Sequence, residues 1–236
     1  MKSFLNRFGS ESLKDVVFGA NDGIVTTFAV VAGVAGASLS PFVILALGFA
    51  NLIADGFSMA TGNYLGTQSE ARLYKREHER ESHIFDLPGH KGEREAAGIL
   101  EGKGFTPDDA SALSKIITKN KNFFLDFVIS NRTGITETTT GDAIRGGIVI
   151  FFAFIFAGAI PLTPYIIFSG SSMQSTFIWA SIFTGIALFA VGAARTYFSD
   201  ESWWRGGLGM FFAGGSAAAI SFGIGALARL IANGVV

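Results

Sequence analysis

Apolar residues dominate five stretches of this chain, and polar residues gather between the second and the third. The stretches run from about Val16 to Ala37, Phe42 to Leu65, Gly146 to Leu162, Phe177 to Ala194 and Gly206 to Ala228. Each is close to the about 20 residues that a helix needs to cross a hydrocarbon layer of about 30 Å. Between Asp22 and Asp55 lie 32 uncharged residues, Gly23 to Ala54. That run is too long for one span, and it breaks at Ser38-Leu39-Ser40-Pro41. The pattern therefore predicts a helical hairpin with one carboxylate on each arm. A charge at bilayer depth costs about 2.5–3.5 kcal/mol even on insertion-based scales, and such residues usually face a pore, a partner or an ion path. The bland alternative is an aspartate paired silently inside the bundle.

The polar insert, Gly66 to Asp142, reads as helical. Ser69–Phe85 has no proline or glycine and alternates acid with base, so it extends the second span beyond the membrane, and Leu87-Pro88-Gly89 stops it. Glu93–Lys103 predicts a helix ended by Gly104. Thr106-Pro107-Asp108-Asp109 is a helix start, with a capping threonine, proline in the first turn and acids at the positive end of the dipole. Phe123–Ile129 leads towards the third span. The expected fold is thus an all-α integral membrane protein with five transmembrane helices and a small three-helix cytosolic insert between spans 2 and 3. Its expected divisions are an amphipathic segment 1–14, spans 1–2 over 15–65, the insert over 66–142 and spans 3–5 over 143–236.

Composition agrees with a membrane class. Hydrophobic residues make up 49% of the chain, with 24 Phe and 30 Gly among 236 residues, and the mean hydropathy is +0.43. Glycine at that level suits close helix contacts in lipid. The net charge of −1 gives no reason to expect nucleic acid. With no cysteine, disulfides and thiolate sites are excluded, so a metal would be held by oxygen, imidazole or thioether. Residues 1–10 lack the apolar core and cleavage site of a secretory signal. Phe4, Leu5 and Phe8 among Lys2 and Arg7 predict a short helix lying on the membrane surface.

Charge also sets a topology. The outer turns, Ser38–Pro41 and Pro161–Gln174, carry no charge, and 17 of the 18 Lys and Arg fall on one side if the N-terminus is cytoplasmic. Only Arg229 falls opposite. The positive-inside rule predicts an N-terminus inside and a C-terminus outside.

Polar residues form stripes along the first two helices. At 100° per residue, Glu11, Asp15 and Asp22 lie within about 20° of one line. Asn51, Asp55, Met59 and Asn63 follow one another at four-residue steps. Asp22 lies about 9 Å in from the cytoplasmic edge and Asp55 roughly 20 Å in from the outer one, which brings both to a similar depth. Carboxylate, amide and thioether together suit a divalent transition metal better than calcium, which prefers oxygen alone. Taken alone, Met59 is ordinary lipid-facing filler. In the insert, Glu70, Glu77 and Glu81 share a face near His78 and His83. Interleaved Arg72, Lys75, Arg76 and Arg80 make a solvated, salt-bridged helix the expectation there. No Glu-x-x-His, phosphate loop, Ser/His/Asp cluster or thiol occurs, so a di-iron oxidase, an ATPase or an acyl-transfer enzyme is not expected.

The segments Glu11-Ser-Leu-Lys-Asp15, Gly19-Ala-Asn-Asp22-Gly-Ile-Val-Thr-Thr-Phe-Ala-Val-Val-Ala-Gly33, Ala54-Asp-Gly-Phe-Ser-Met59-Ala-Thr-Gly-Asn-Tyr64 and Ile160-Pro-Leu-Thr-Pro-Tyr165 resemble the vacuolar iron transporter family over nearly the whole chain. The resemblance implies a homodimer with five spans per subunit. In it the first helices line a central path, and ferrous iron or manganese leaves the cytosol in exchange for protons. It assigns Glu11, Asp15, Asp22 and Met59 to the metal path. Asn51 stands where that family commonly has glutamate, with Asp55 one turn on. In the insert Glu81 and Glu95 match its metal-collecting glutamates, whereas Ile84, Gly98, Val128, Ile129 and Arg132 stand where acids or methionines are usual.

The expectation is therefore a non-enzymatic, proton-coupled exporter of divalent metal in the bilayer. The membrane would be the inner membrane of a prokaryotic cell or the vacuolar membrane of a eukaryotic one. Its transport path comprises Glu11, Asp15, Asp22, Asn51, Asp55 and Met59, and its metal ligands are Asp22, Asp55, Met59, Glu77, Glu81 and Glu95. Metal and protons are its substrates and no cofactor is held permanently. A passive cation channel and a non-transporting scaffold with a metal-sensing insert are the rival readings. Small-residue lines, Gly215, Ala219 and Gly223 on the last span and Gly19 and Gly23 on the first, are expected at a subunit contact.

Overall fold

The structure is a computed structural model that describes residues 2–86, 91–168, 170–198 and 201–234, with side chains from residue 12 onward. Every regular element among the described residues is helical: α1 Lys2–Gly36, α2 Pro41–Phe85, α3 Lys91–Gly102, α4 Pro107–Ile117, α5 Lys121–Thr133, α6 Thr140–Gly158, α7 Thr163–Ile167, α8 Met173–Arg195 and α9 Trp203–Ala232. Five helical segments are long and apolar enough to cross a membrane: Ser12–Gly36, Pro41–Phe85, Thr140–Ile167, Met173–Arg195 and Trp203–Ala232. The chain divides into two compact units, residues 1–63 with 145–236, and residues 64–144.

In the larger unit the hairpin breaks where the serines and proline require it. α1 ends at Gly36, Ser38 takes φ 57°, and α2 restarts with Pro41 in its first turn, where a missing N–H is harmless. Arg229, the one basic residue expected on the outer side, donates from Nη1 to Ser38 Oγ at 2.6 Å and ties α9 to this turn. At the other end α1 is continuous from Lys2. The short helix expected over the first residues therefore joins the first span, which begins at Ser12, without a break. The side chains of Phe4, Leu5 and Phe8 lie outside the described residues, as does the Leu87-Pro88-Gly89 stop.

α1 packs along α9 and α8. Phe28, Val31, Ala32 and Val34 of α1 share one buried core with Ile44 of α2, Leu162 and Tyr165 near α7, Ala180 of α8 and Ala218 of α9. α6 crosses α1 through glycine. A Cβ at Gly23 would stand 2.5 Å from the Phe154 carbonyl oxygen, and one at Gly19 would stand 2.8 Å from that of Ile150. The Gly19–Gly23 line expected at a subunit contact is therefore used inside the chain, against α6. Gly215 and Gly223 of α9, by contrast, meet nothing within 4 Å. In lipid such backbone-to-backbone approach supplies packing that larger residues forbid. Gly23→Val is accordingly expected to lower stability by about 1–3 kcal/mol through overpacking. Thermal unfolding in detergent measures this, with Gly223→Val as a control that melts like the native protein.

The smaller unit is held by local signals and one apolar cluster. Thr106 caps α4, its side chain accepting from Asp109 N at 3.3 Å, and Asn120 caps α5, accepting from Phe123 N at 3.1 Å. Gly134, at φ 73°, ends α5. Ala96, Phe124, Leu125, Val128 and Ile129 form the buried core, with Tyr74, Phe85, Ile99, Ile117 and Phe127 against it. Polar ties flank this cluster. Lys121 Nζ lies 2.7 and 2.8 Å from the two Asp86 carboxylate oxygens, and Tyr74 donates to Asp126.

Candidate metal-transport site

α1 and α2 follow one another across the hairpin turn. Asp22 is half-buried, and Asp55 is near enough to act on its charge. Two carboxylates within electrostatic reach of each other in an apolar layer call for a cation, protons or both, since like charges there raise each other's energy. The Thr26 hydroxyl donates to the Asp22 backbone carbonyl at 2.8 Å, leaving the carboxylate outside that bond.

Amides flank the pair. Asn51 Nδ2 and Asn21 Oδ1 are both buried without a hydrogen-bond partner. An unpaired polar atom in such surroundings costs about 1–3 kcal/mol, so each is available to a passing ligand. Asn51 belongs to the expected path. Asn21 was missed, although it immediately precedes Asp22. Its place beside the stripe rather than on it hid the residue from a periodicity argument.

Nearer the other end of the hairpin, Asp15 and Asn63 each come close to Gly146 of α6. A Cβ at Gly146 would lie 3.2 Å from Asp15 Oδ2 and 2.7 Å from Asn63 Nδ2. Met59 is half-buried on α2, one turn from both Asp55 and Asn63. The side chain of Glu11 lies outside the described residues.

The insert carboxylates sit otherwise than expected. Glu77 and Glu81 are buried, not spread on a solvated face, because α2 turns that face to α3 and α5. Arg132 of α5 donates from Nη1 to Glu81 Oε1 at 2.5 Å and from Nη2 to Glu95 of α3. Arg80 lies 3.2 Å from Glu77 and 3.9 Å from Glu81, and Arg76 lies 3.6 Å from Glu77. The three insert residues expected to hold metal thus hold guanidinium groups. Among the described residues no three His, Asp or Glu side chains converge as a metal-holding group. Val128 and Ile129, apolar where resemblance implied ligands, close the core one turn before Arg132.

Glu95 is pushed above the ordinary carboxylate range, first by burial and then by the Glu81 charge, against the pull of Arg132 and Arg80. Folded protein therefore keeps a proton that the unfolded chain has released. The corresponding stability is full below the ordinary carboxylate range and is lost as pH rises through the raised value. The native protein is expected to lose melting temperature from about pH 5 to about pH 7.5 relative to Glu95→Gln, which has no titrating group at that position. Melting curves of the two proteins at both pH values measure the difference.

The VIT family model matches residues 13–226, covering the insert and both hairpin stripes apart from Glu11. The chain belongs to the VIT family. A vacuolar iron transporter of Toxoplasma gondii is 33% identical over 232 residues, covering 94% of this chain and 76% of the relative. One from Plasmodium berghei is 31% identical over 226 residues, covering 93% and 83%. Vacuolar iron transporter 1 of Arabidopsis thaliana is 30% identical over 212 residues, covering 90% and 84%. VIT membership and the five apolar helices make this chain a membrane protein of a transporter family, not an enzyme.

Proposed function

We propose that this VIT-family protein carries ferrous iron, and manganese with it, out of the cytosol in exchange for protons. The observation that carries the reading is the Asp22–Asp55 pair across α1 and α2. Two carboxylates neutralise one divalent ion, or each takes a proton, so the same groups serve both flows in alternation. Met59 adds a thioether that favours a transition metal over calcium. The iron itself comes from the names of the relatives. Asp15 and Glu11 form an acidic mouth that concentrates cations before they reach the pair.

In this reading the N-terminus faces the cytosol and the chain works as a homodimer. Glu77, Glu81 and Glu95 take metal only in competition with Arg76, Arg80 and Arg132, so the insert modulates transport at low metal. Placement of 17 of 18 basic residues on one side supports that orientation. A C-terminal reporter is expected to label from outside; labelling from the cytoplasm alone contradicts the orientation.

Uptake of iron and manganese into liposomes containing the purified protein tests the function. Metal flux that rises with an opposing proton gradient supports exchange. Flux indifferent to that gradient indicates a passive channel, and no flux indicates a scaffold.

A further inference from the structure

The face that α8 and α9 share holds an apolar groove of about 700 Å³, within the range of about 300–1,000 Å³ that ligand sites occupy. Phe177, Ser181, Gly185 and Phe189 line it from α8, and Leu208 and Phe211 from α9. From residue 177 to residue 189 a helix rises about 18 Å, enough to seat one acyl chain across a leaflet, half of a hydrocarbon layer of about 30 Å. A second hollow of about 460 Å³ shares Gly185 and Phe211 with the groove and continues to Phe28 of α1. A Cβ at Gly185 would stand 2.9 Å from the Phe211 ring, so a larger side chain there takes up groove space. The two ends of the groove differ in charge. Beyond Phe177, residues 170–176 carry none. At the other end Trp203 meets Phe189 edge-on, with ring centroids 6.0 Å apart. Arg205, one turn before Leu208, is exposed and lies 5.2 Å over the Trp204 ring. Arg195 at this end is engaged by Glu201 at 3.4 Å, whereas Arg205 has no carboxylate partner among the described residues.

We propose that the α8–α9 groove binds one phospholipid with an anionic headgroup, its acyl chain along Gly185 and its phosphate at Arg205. Hydrocarbon surrounds this face in a bilayer, so lipid chains are what fills a concave apolar surface there. The cation at one end then selects which lipid stays. Paired tryptophans mark headgroup level at that end, and a basic residue between spans at that level attracts acidic headgroups. The site uses none of the residues of the metal path.

The test is native mass spectrometry of the full-length protein in detergent, titrated with phosphatidylglycerol and, separately, with phosphatidylcholine of the same chains. One charge-assisted contact corresponds to about a tenfold change. Native protein is therefore expected to retain one phosphatidylglycerol per subunit about tenfold more tightly than phosphatidylcholine. Arg205→Ala is expected to bring phosphatidylglycerol down to the phosphatidylcholine level. Gly185→Leu is expected to weaken both lipids by filling the groove. Arg205 is exposed, so Arg205→Ala decides the matter should Gly185→Leu fail to fold. Equal retention of the two lipids by native protein, or phosphatidylglycerol held by Arg205→Ala as tightly as by native, overturns the inference. A Gly185→Leu variant that changes the number of subunits per particle at native lipid affinity also overturns it, and makes the groove a contact between copies of this chain.

Discussion

Asp22→Asn is expected to abolish metal-driven proton movement and leave the protein folded. Asparagine keeps the size of the side chain and loses both its charge and its exchangeable proton. Asp55 alone then offers one negative charge to a divalent ion, and the alternation between metal and protons has lost half its groups. Folding should survive, because removing a charge from bilayer depth relieves about 2.5–3.5 kcal/mol of desolvation on insertion-based scales. The comparison is Glu81→Ala, whose carboxylate is already engaged by Arg132 at 2.5 Å. That variant should alter apparent affinity at low metal more than maximal flux. Initial rates against metal concentration, taken in the same liposomes, separate the two. Substantial flux in Asp22→Asn together with none in Glu81→Ala would place control of transport in the insert.

Arg132→Ala should give the largest stability loss in residues 64–144. Glu81 is 1% exposed, so its carboxylate relies on protein partners, and Oε2 already has none. Without Arg132 its nearest cation is Arg80 at 3.9 Å. Stripping a partner from a buried charge costs about 3–5 kcal/mol. Arg132 is itself 41% exposed, so water takes up part of this and about 1–3 kcal/mol is expected. Arg132→Lys should restore little, since one ammonium lacks the fork that reaches two carboxylates on different helices. Manganese should raise the melting temperature of Arg132→Ala more than that of the native protein, because Glu81 and Glu95 are then left with no guanidinium between them. Equal stabilisation of both proteins would mean that Arg132 does not compete with metal.

What was legible in the sequence follows from the range of the interactions involved. The hairpin break at Ser38–Pro41 and the Thr106 cap depend on neighbours within four positions, and both stand where expected. That Asp22 and Asp55 lie within electrostatic reach of each other agrees with what helical rise and a short turn predict. Arg132 was not legible in this way. Its partners Glu81 and Glu95 lie 51 and 37 positions away, on helices whose assembly is set by the apolar cluster around Phe124. As a departure from the expected ligands it was visible, but its role as the ion that fills the site was a tertiary fact. Gly19 and Gly23 failed for a related reason. A line of small residues says that a helix will approach closely, and nothing in it distinguishes α6 of the same chain from a second subunit.

The most direct test is to add manganese outside liposomes that carry a pH-sensitive dye within, and to record metal entering and protons leaving in the same sample. Exchange through the aspartate pair predicts proton efflux that begins with the metal pulse, scales with it and vanishes in Asp22→Asn. Manganese uptake of native size with no proton movement, or proton efflux undiminished in Asp22→Asn, would contradict it.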